Sequence, residues 1–367
     1  MKKRKLYFVL TFLLTFNVIL LNITNSVCAN TNESTLISEG VSDELTKYTH
    51  DVIDKHFYSI SKDFQAFGMK NAPVEQYSLG QYFSVYNYKT LETVYFYTIL
   101  CNNEIEALIQ ITENDNEFGS SVSKSFASEL KTLLSDSKGL SYKLITDGNR
   151  VYALTENSMQ LLYQITPNEN YTQNVIKFDD VYNEKQLYEV SYDDLTITSK
   201  KLSNNSLTRA DPNRPLAYKT LNVKGVSQGQ QPWCWAATCA AMINYYKGKT
   251  LTASTVAKYV FPSNPYQGGN WDNMKKAYTH WGVKTTYKEG RISFGTIKSN
   301  INSNKAIHLR LTGHSLGLIG YEDWSDRNML ILLEPNGGVQ KSVTLKSNGN
   351  FDYYLTGANS WLNTILF

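Results

Sequence analysis

Residues 234–246 read Cys-Trp-Ala-Ala-Thr-Cys-Ala-Ala-Met-Ile-Asn-Tyr-Tyr. A run this rich in small and apolar residues reads as a buried helix, so the fold has to cover it with other elements. Pro232 stands near its start, where a missing backbone N–H costs nothing. Cys234 then falls in the first helical turn. Unpaired N–H groups and the positive end of the helix dipole favour a thiolate at that position. Cysteine in an apolar helix is more often plain core, so the neighbours decide. Gln228 lies six residues upstream on a Gly-containing turn. Its amide is close enough in sequence to join the Cys234 backbone N–H in holding a developing oxyanion. Gln230 and Gln231 compete for that role, and spacing alone does not choose among the three.

Downstream, Thr252–Thr255 lead into a short helix through Tyr259. Asn270 caps a second helix from Trp271 to about Trp281, and Gly282 ends it. Residues 294–302 form a third. The period then changes to that of strands. Ile307–Leu311 and Ser315–Tyr321 are separated by Thr312-Gly313, with His314 at the start of the second strand. Met329–Leu333 is almost wholly apolar and therefore central, and it delivers Glu334 and Pro335 at its exit. A hairpin between the last two strands would bring His314 and Glu334 together. His314 would take a thiol proton and return it to a leaving amine. Glu334 would accept from the other ring nitrogen and fix the ring. Asn336 is the fallback for that orienting role. His308 is a rival base but sits mid-strand without such a partner, and His280 reads as a surface or packing residue. Val339–Val343, Phe351–Leu355 and Trp361–Phe367 read as outer strands closing a curled antiparallel sheet.

The stretch Gln228-Gly229-x-x-x-Trp233-Cys234, followed by Trp235-Ala236, resembles the active-site segment of papain-like cysteine peptidases. Its wording is similar to that of the staphopain group of secreted bacterial members. The resemblance covers roughly residues 215–367. It implies an α+β papain-like fold, a helical side against a curled antiparallel sheet. It implies Gln228 as the oxyanion glutamine and Cys234 as the nucleophile. The family order is Cys, then His, then an Asn or Asp just before Pro; Glu334 occupies that last position here, a departure from the pattern. A competing signal, Gly313-His314-Ser315-Leu316-Gly317, matches the nucleophile elbow of lipases and esterases. A strand-like run follows Ser315 where that motif needs a helix, and no histidine follows His314. The match is therefore read as chance.

The remaining sequence divides further. Lys2, Lys3, Arg4 and Lys5 precede an apolar run to about Leu21, and Val27-Cys28-Ala29 offers a cleavage site. Residues 1–29 read as a secretory signal peptide. Its removal leaves Cys101, Cys234 and Cys239, too few for a disulfide framework. The five histidines, His50 and His56 included, form no zinc spacing with them. No metal or cofactor is expected. Residues 33–66 suggest one or two amphipathic helices. Residues 82–86, 94–100 and 105–111 suggest strands, 121–135 a helix, and 142–145, 151–154 and 161–165 further strands. Residues 30–209 carry 15 Lys/Arg and 25 Asp/Glu, and residues 210–367 carry 17 and 8. A domain of net charge −10 precedes one of +9, which favours their association. The polar stretch from Ile197 to Arg214 reads as an exposed linker open to proteolysis.

The expected organisation is a signal peptide (1–29), a separate α+β propeptide domain (30–199), a linker and processing region (200–214) and a papain-like catalytic domain (215–367). The expected function is a secreted or cell-surface cysteine endopeptidase made as a zymogen. Its partners would be a protein or peptide substrate and its own propeptide. No nucleic acid and no membrane anchor after signal removal are expected, and the chain is expected to be a monomer. A peptidoglycan amidase or transpeptidase would use the same Cys/His chemistry. A non-enzymatic adhesin or toxin-like protein on a peptidase-like fold is the other reading.

Overall fold

The computed structural model describes residues 33–114, 117–135, 139–165, 187–202, 214–353, 355 and 361–367. The signal segment and residues 203–213 of the expected processing region lie outside them. The fold is mixed α/β. Its first part contains β1 (Thr35–Glu39), α1 (Asp43–Ile60), β2 (Tyr77–Asn87), β3 (Glu92–Cys101), β4 (Glu104–Asn114), β5 (Glu117–Ser123) and α2 (Ala127–Ser135). There follow β6 (Ser141–Thr146), β7 (Arg150–Leu154), β8 (Met159–Gln164), β9 (Leu187–Ser191), α3 (Tyr192–Leu195) and β10 (Lys200–Lys201).

The second part contains β11 (Ala217–Thr220), α4 (Cys234–Lys247), α5 (Ala253–Val260), α6 (Trp271–His280), β12 (Thr286–Glu289) and α7 (Phe294–Asn302). It ends with β13 (Ile307–Leu311), β14 (His314–Asp323), β15 (Asn328–Glu334), β16 (Val339–Leu345) and β17 (Trp361–Leu366). Side-chain caps set several helix starts. Ser42, Thr252, Asn270 and Ser293 each accept a backbone N–H from three residues on.

The second-part strands form an antiparallel sheet in the order β12-β17-β13-β14-β15-β16, with β11 beside the far end of β14. α4 packs on this sheet through β14. Gly317 allows the approach, because a Cβ there would lie 2.5 Å from the Met242 side chain and 3.1 Å from that of Leu333. Residues 235–243 of α4 are all buried, as a helix apolar on every side requires.

Several expectations change. Residues 35–39 form a strand, not helix, because Thr35 to Glu39 pair along their length with β9. Residues 121–123 end β5, and the helix begins only at Ala127. Phe351 makes a single bridge with Leu345; Phe351, Tyr353 and Leu355 turn inward as core instead of forming an outer strand. β17 is not an outer strand either, since it lies between β12 and β13.

The two parts are joined through backbone and side chains. Ser342 and Val343 of β16 pair with Val122 and Ser121 of β5, so one hydrogen-bonded sheet crosses the junction. His56 of α1 is fully buried there, with ring nitrogens 2.8 Å from the Ser342 hydroxyl and 2.9 Å from that of Ser120. The Gln340 N–H donates to the carbonyl of Ala66 at 2.7 Å. Close charges across the junction oppose the net balance: Lys55 pairs with Asp326 at 2.5 Å, and Lys62 faces Glu322. Here the acidic part supplies the cations. The start of the expected linker is pinned as well. Lys200 and Lys201 pair with β2, and Lys200 meets Asp54 at 2.6 Å.

Candidate active site

Cys234 is the first residue of α4, preceded by Trp233 as N-cap. No side chain caps this helix start, so its N–H groups remain directed toward the sulfur's surroundings. Cys234 is partly exposed, whereas Cys101 and Cys239 are buried. Burial raises the thiol pKa of both, that of Cys239 to about 12. Cys234 is therefore the one cysteine among the described residues that reaches solvent.

The helix is fixed to the histidine strand by Thr238, one turn beyond Cys234. Its hydroxyl donates to the carbonyl of Ser315 at 3.2 Å, the residue after His314. His314 opens β14 after a two-residue turn in which Gly313 has φ +73°, a conformation that favours glycine. The antiparallel pairing of β14 with β15 returns the chain so that Glu334 lies beside His314, as the sequence suggested.

The His314 Nε2–H donates to Oε1 of Glu334 at 3.1 Å. An ionised carboxylate only accepts, so that nitrogen carries the proton. The other ring nitrogen, Nδ1, makes no hydrogen bond, but Cys234 is close enough for its charge to act on the ring. Burial disfavours the imidazolium, yet Glu334 and Cys234 together raise the His314 pKa to about 10. Burial also works against the Glu334 carboxylate; His314, Tyr353 and the Asn336 N–H outweigh it and hold the pKa below the usual value.

The loop before the helix meets the exit of the glutamate strand. The Gln228 N–H donates to the carbonyl of Pro335 at 2.8 Å. Gly225 and Gly338 touch backbone to backbone, and a Cβ on Gly225 would lie 1.8 Å from the Gly338 oxygen. The Gln228 side chain is buried, with neither amide atom hydrogen-bonded.

The fallback orienter, Asn336, presents only its backbone to the site: its N–H donates to Glu334 Oε1 at 2.8 Å. Its side-chain amide turns toward Tyr163, Gln164 and Ile165. His308 is a core residue, with Nδ1 2.7 Å from the Tyr278 hydroxyl. Burial, aided by Arg310, lowers its pKa to about 3. His280 stacks on Tyr259 with ring centroids 3.7 Å apart.

The sequence assigns neither Tyr353 nor Thr238 a place at the site. Thr238 lies one turn from Cys234 on the same helix, a spacing that could have flagged it. Tyr353 reaches the site through a buried return, for which periodicity gives no signal. Among the described residues no group of three His, Cys, Asp or Glu is placed to hold a metal ion. No helix among them is long and apolar enough to cross a membrane.

A thiol at a helix start and a histidine–carboxylate pair on an antiparallel sheet thus lie in the C-terminal part of the chain. A sequence model described as the Peptidase_C39 like family matches residues 220–361. Together with the fold, this gives the chain a distant link to cysteine peptidases of the C39 and papain-related kind. No curated protein matches the chain. Among solved structures it is similar to UfSP from C. elegans, at 6% identity and a TM-score of 0.27, over 91% of this chain and 76% of that one. A likeness that weak carries no argument.

Proposed function

We propose that this protein is a secreted cysteine endopeptidase made as a zymogen. The observation that carries the reading is the hydrogen bond that Glu334 accepts from His314, on a ring that also feels the charge of Cys234. In the proposed reaction, the Cys234 thiolate attacks a peptide carbonyl. The Cys234 N–H and the Gln228 amide stabilise the tetrahedral oxyanion. His314 protonates the departing amine, and water then hydrolyses the thioester with His314 as base. Glu334 holds the ring in the tautomer this requires.

The unbonded, buried amide of Gln228 supports its oxyanion role, since it has donors to spare for a transition state. The latent state is supported by the fully buried His314 side chain. It is also supported by the close seating of residues 33–202 on the C-terminal sheet. We assign maturation to residues 200–214, with residues 1–29 as the export signal. The wording of the motif at Gln228–Cys234 favours the staphopain group within the wider class.

Peptide-bond and muropeptide substrates, assayed side by side, separate an endopeptidase from a wall amidase. Mass analysis of exported wild type and Cys234→Ala tests the rest. Conversion near residues 200–214 in the wild type alone is expected. A wild type that cleaves neither substrate overturns the reading.

A further inference from the structure

We infer that Tyr353 is a positioning residue for the His314–Glu334 pair, an inference that rests on the peptidase reading above. Two contacts carry it. The Tyr353 hydroxyl donates to Oε2 of Glu334. Its ring lies against the imidazole of His314, with centroids 5.3 Å apart and planes 22° from parallel. One side chain therefore grips both members of the pair.

A glutamate has particular need of such a grip. It has one more rotatable bond than the shorter Asp or Asn, and a strand exit fixes only its backbone. Here both carboxylate oxygens are held. Oε1 accepts from His314 and from the Asn336 N–H, and Oε2 accepts from Tyr353.

Tyr353 is itself held. It is 1% exposed, and Lys341 of β16 reaches it twice. The Lys341 ammonium lies 3.4 Å from the Tyr353 carbonyl and 4.7 Å from the ring centroid. Lys341 is a buried cation. Burial lowers its pKa to about 8, with Glu334 acting in the opposite direction. The titratable groups around Glu334 are His314 from β14, Lys341 from β16, Tyr163 from β8 and Tyr353 itself. Beside them lies a cavity of about 250 Å3, lined in part by Glu334, Tyr163, Lys341 and Tyr353.

A donor on the ionised carboxylate favours the charged form. Without it, Glu334 takes up a proton at higher pH, and the His314 imidazolium beside Cys234 loses its counter-ion. The test is the rate of Cys234 alkylation by iodoacetamide against pH, measured on the full chain by peptide mass. The wild type should show an acid limb set by the Glu334 carboxyl. Tyr353→Phe keeps the ring and loses the hydroxyl, so its acid limb should move up by about one pH unit. Tyr353→Leu also loses the ring contact and should in addition react about tenfold more slowly on the plateau. A Phe variant with the wild-type limb overturns the inference while leaving the peptidase reading standing. A wild-type Cys234 left unmodified while other residues are alkylated overturns the peptidase reading and this inference with it.

Discussion

Gln228 donates its backbone N–H to the carbonyl of Pro335 at 2.8 Å. The residue before Pro335 is Glu334, the carboxylate on His314. The loop that leads into the Cys234 helix and the strand that delivers the orienting acid are thus one frame. The Gln228 side-chain amide makes no hydrogen bond in the resting structure. Gln228→Ala should therefore lower kcat by about 100- to 1,000-fold, the loss typical of one oxyanion donor, with little change in KM. Steady-state kinetics on a peptide substrate checks this; an unchanged kcat removes Gln228 from the oxyanion site.

His314 and Glu334 differ in what their loss removes. His314→Ala takes away the proton acceptor and should lower kcat/KM by about ten-thousandfold or more. Glu334→Gln keeps an acceptor for the Nε2–H and should cost less, about 10- to 100-fold. Comparable losses in the two variants would contradict the smaller cost expected when a neutral acceptor replaces the carboxylate.

Acid should weaken the joint between the two parts of the chain. Burial, with Arg327 nearby, lowers the His56 pKa from 6.5 to about 3. Between those values the unfolded chain holds the proton and the folded one does not. The stabilisation is complete above pH 6.5 and is lost as pH falls toward 3, by roughly 4 kcal/mol from this histidine. Urea unfolding at pH 7 and pH 4 measures it. His56→Gln should be less stable at pH 7 but lose less on acidification. An equal pH slope in the variant would contradict the assignment.

Salt should do little to separate the two parts. Their net charges are opposite, yet Lys55 pairs with Asp326 and Lys62 feels the charge of Glu322 across the junction, against the net balance. The junction also holds a strand pairing, the buried neutral hydrogen bonds of His56, and hydrogen bonds from Ser347, Thr112 and Ser59 to the carboxylates of Glu117, Asp352 and Glu322. After a protease cut between residues 203 and 213, the two fragments should co-elute in size exclusion at both 0.1 M and about 1 M salt. Separation at high salt alone would show that long-range charge holds them.

Sequence placed local features where local chemistry is sufficient. The position of Cys234 at a helix start follows from a proline and an apolar run. The Asn270 cap follows from its side chain ahead of a helical run. The meeting of His314 with Glu334 follows from two strand periods and a glycine turn. What escaped depends on long-range pairing. Thr35–Glu39 becomes a strand because β9 lies beside it, a partner about 150 residues away. Trp361–Leu366 inserts between β12 and β13, which no local pattern specifies. Tyr353 sits in a stretch whose alternation suggests a strand, but its neighbours Phe351 and Leu355 are core. The charge split between the two parts was real in composition but did not predict the contacts that join them.

The central claim is that Cys234 is the reactive thiol. Treatment of the full chain with a thiol-directed epoxide, followed by peptide mass analysis, tests it most directly. A single adduct on Cys234, absent from Cys234→Ala and slowed in His314→Ala, is the predicted result. An adduct on Cys101 or Cys239 with Cys234 unmodified would contradict it.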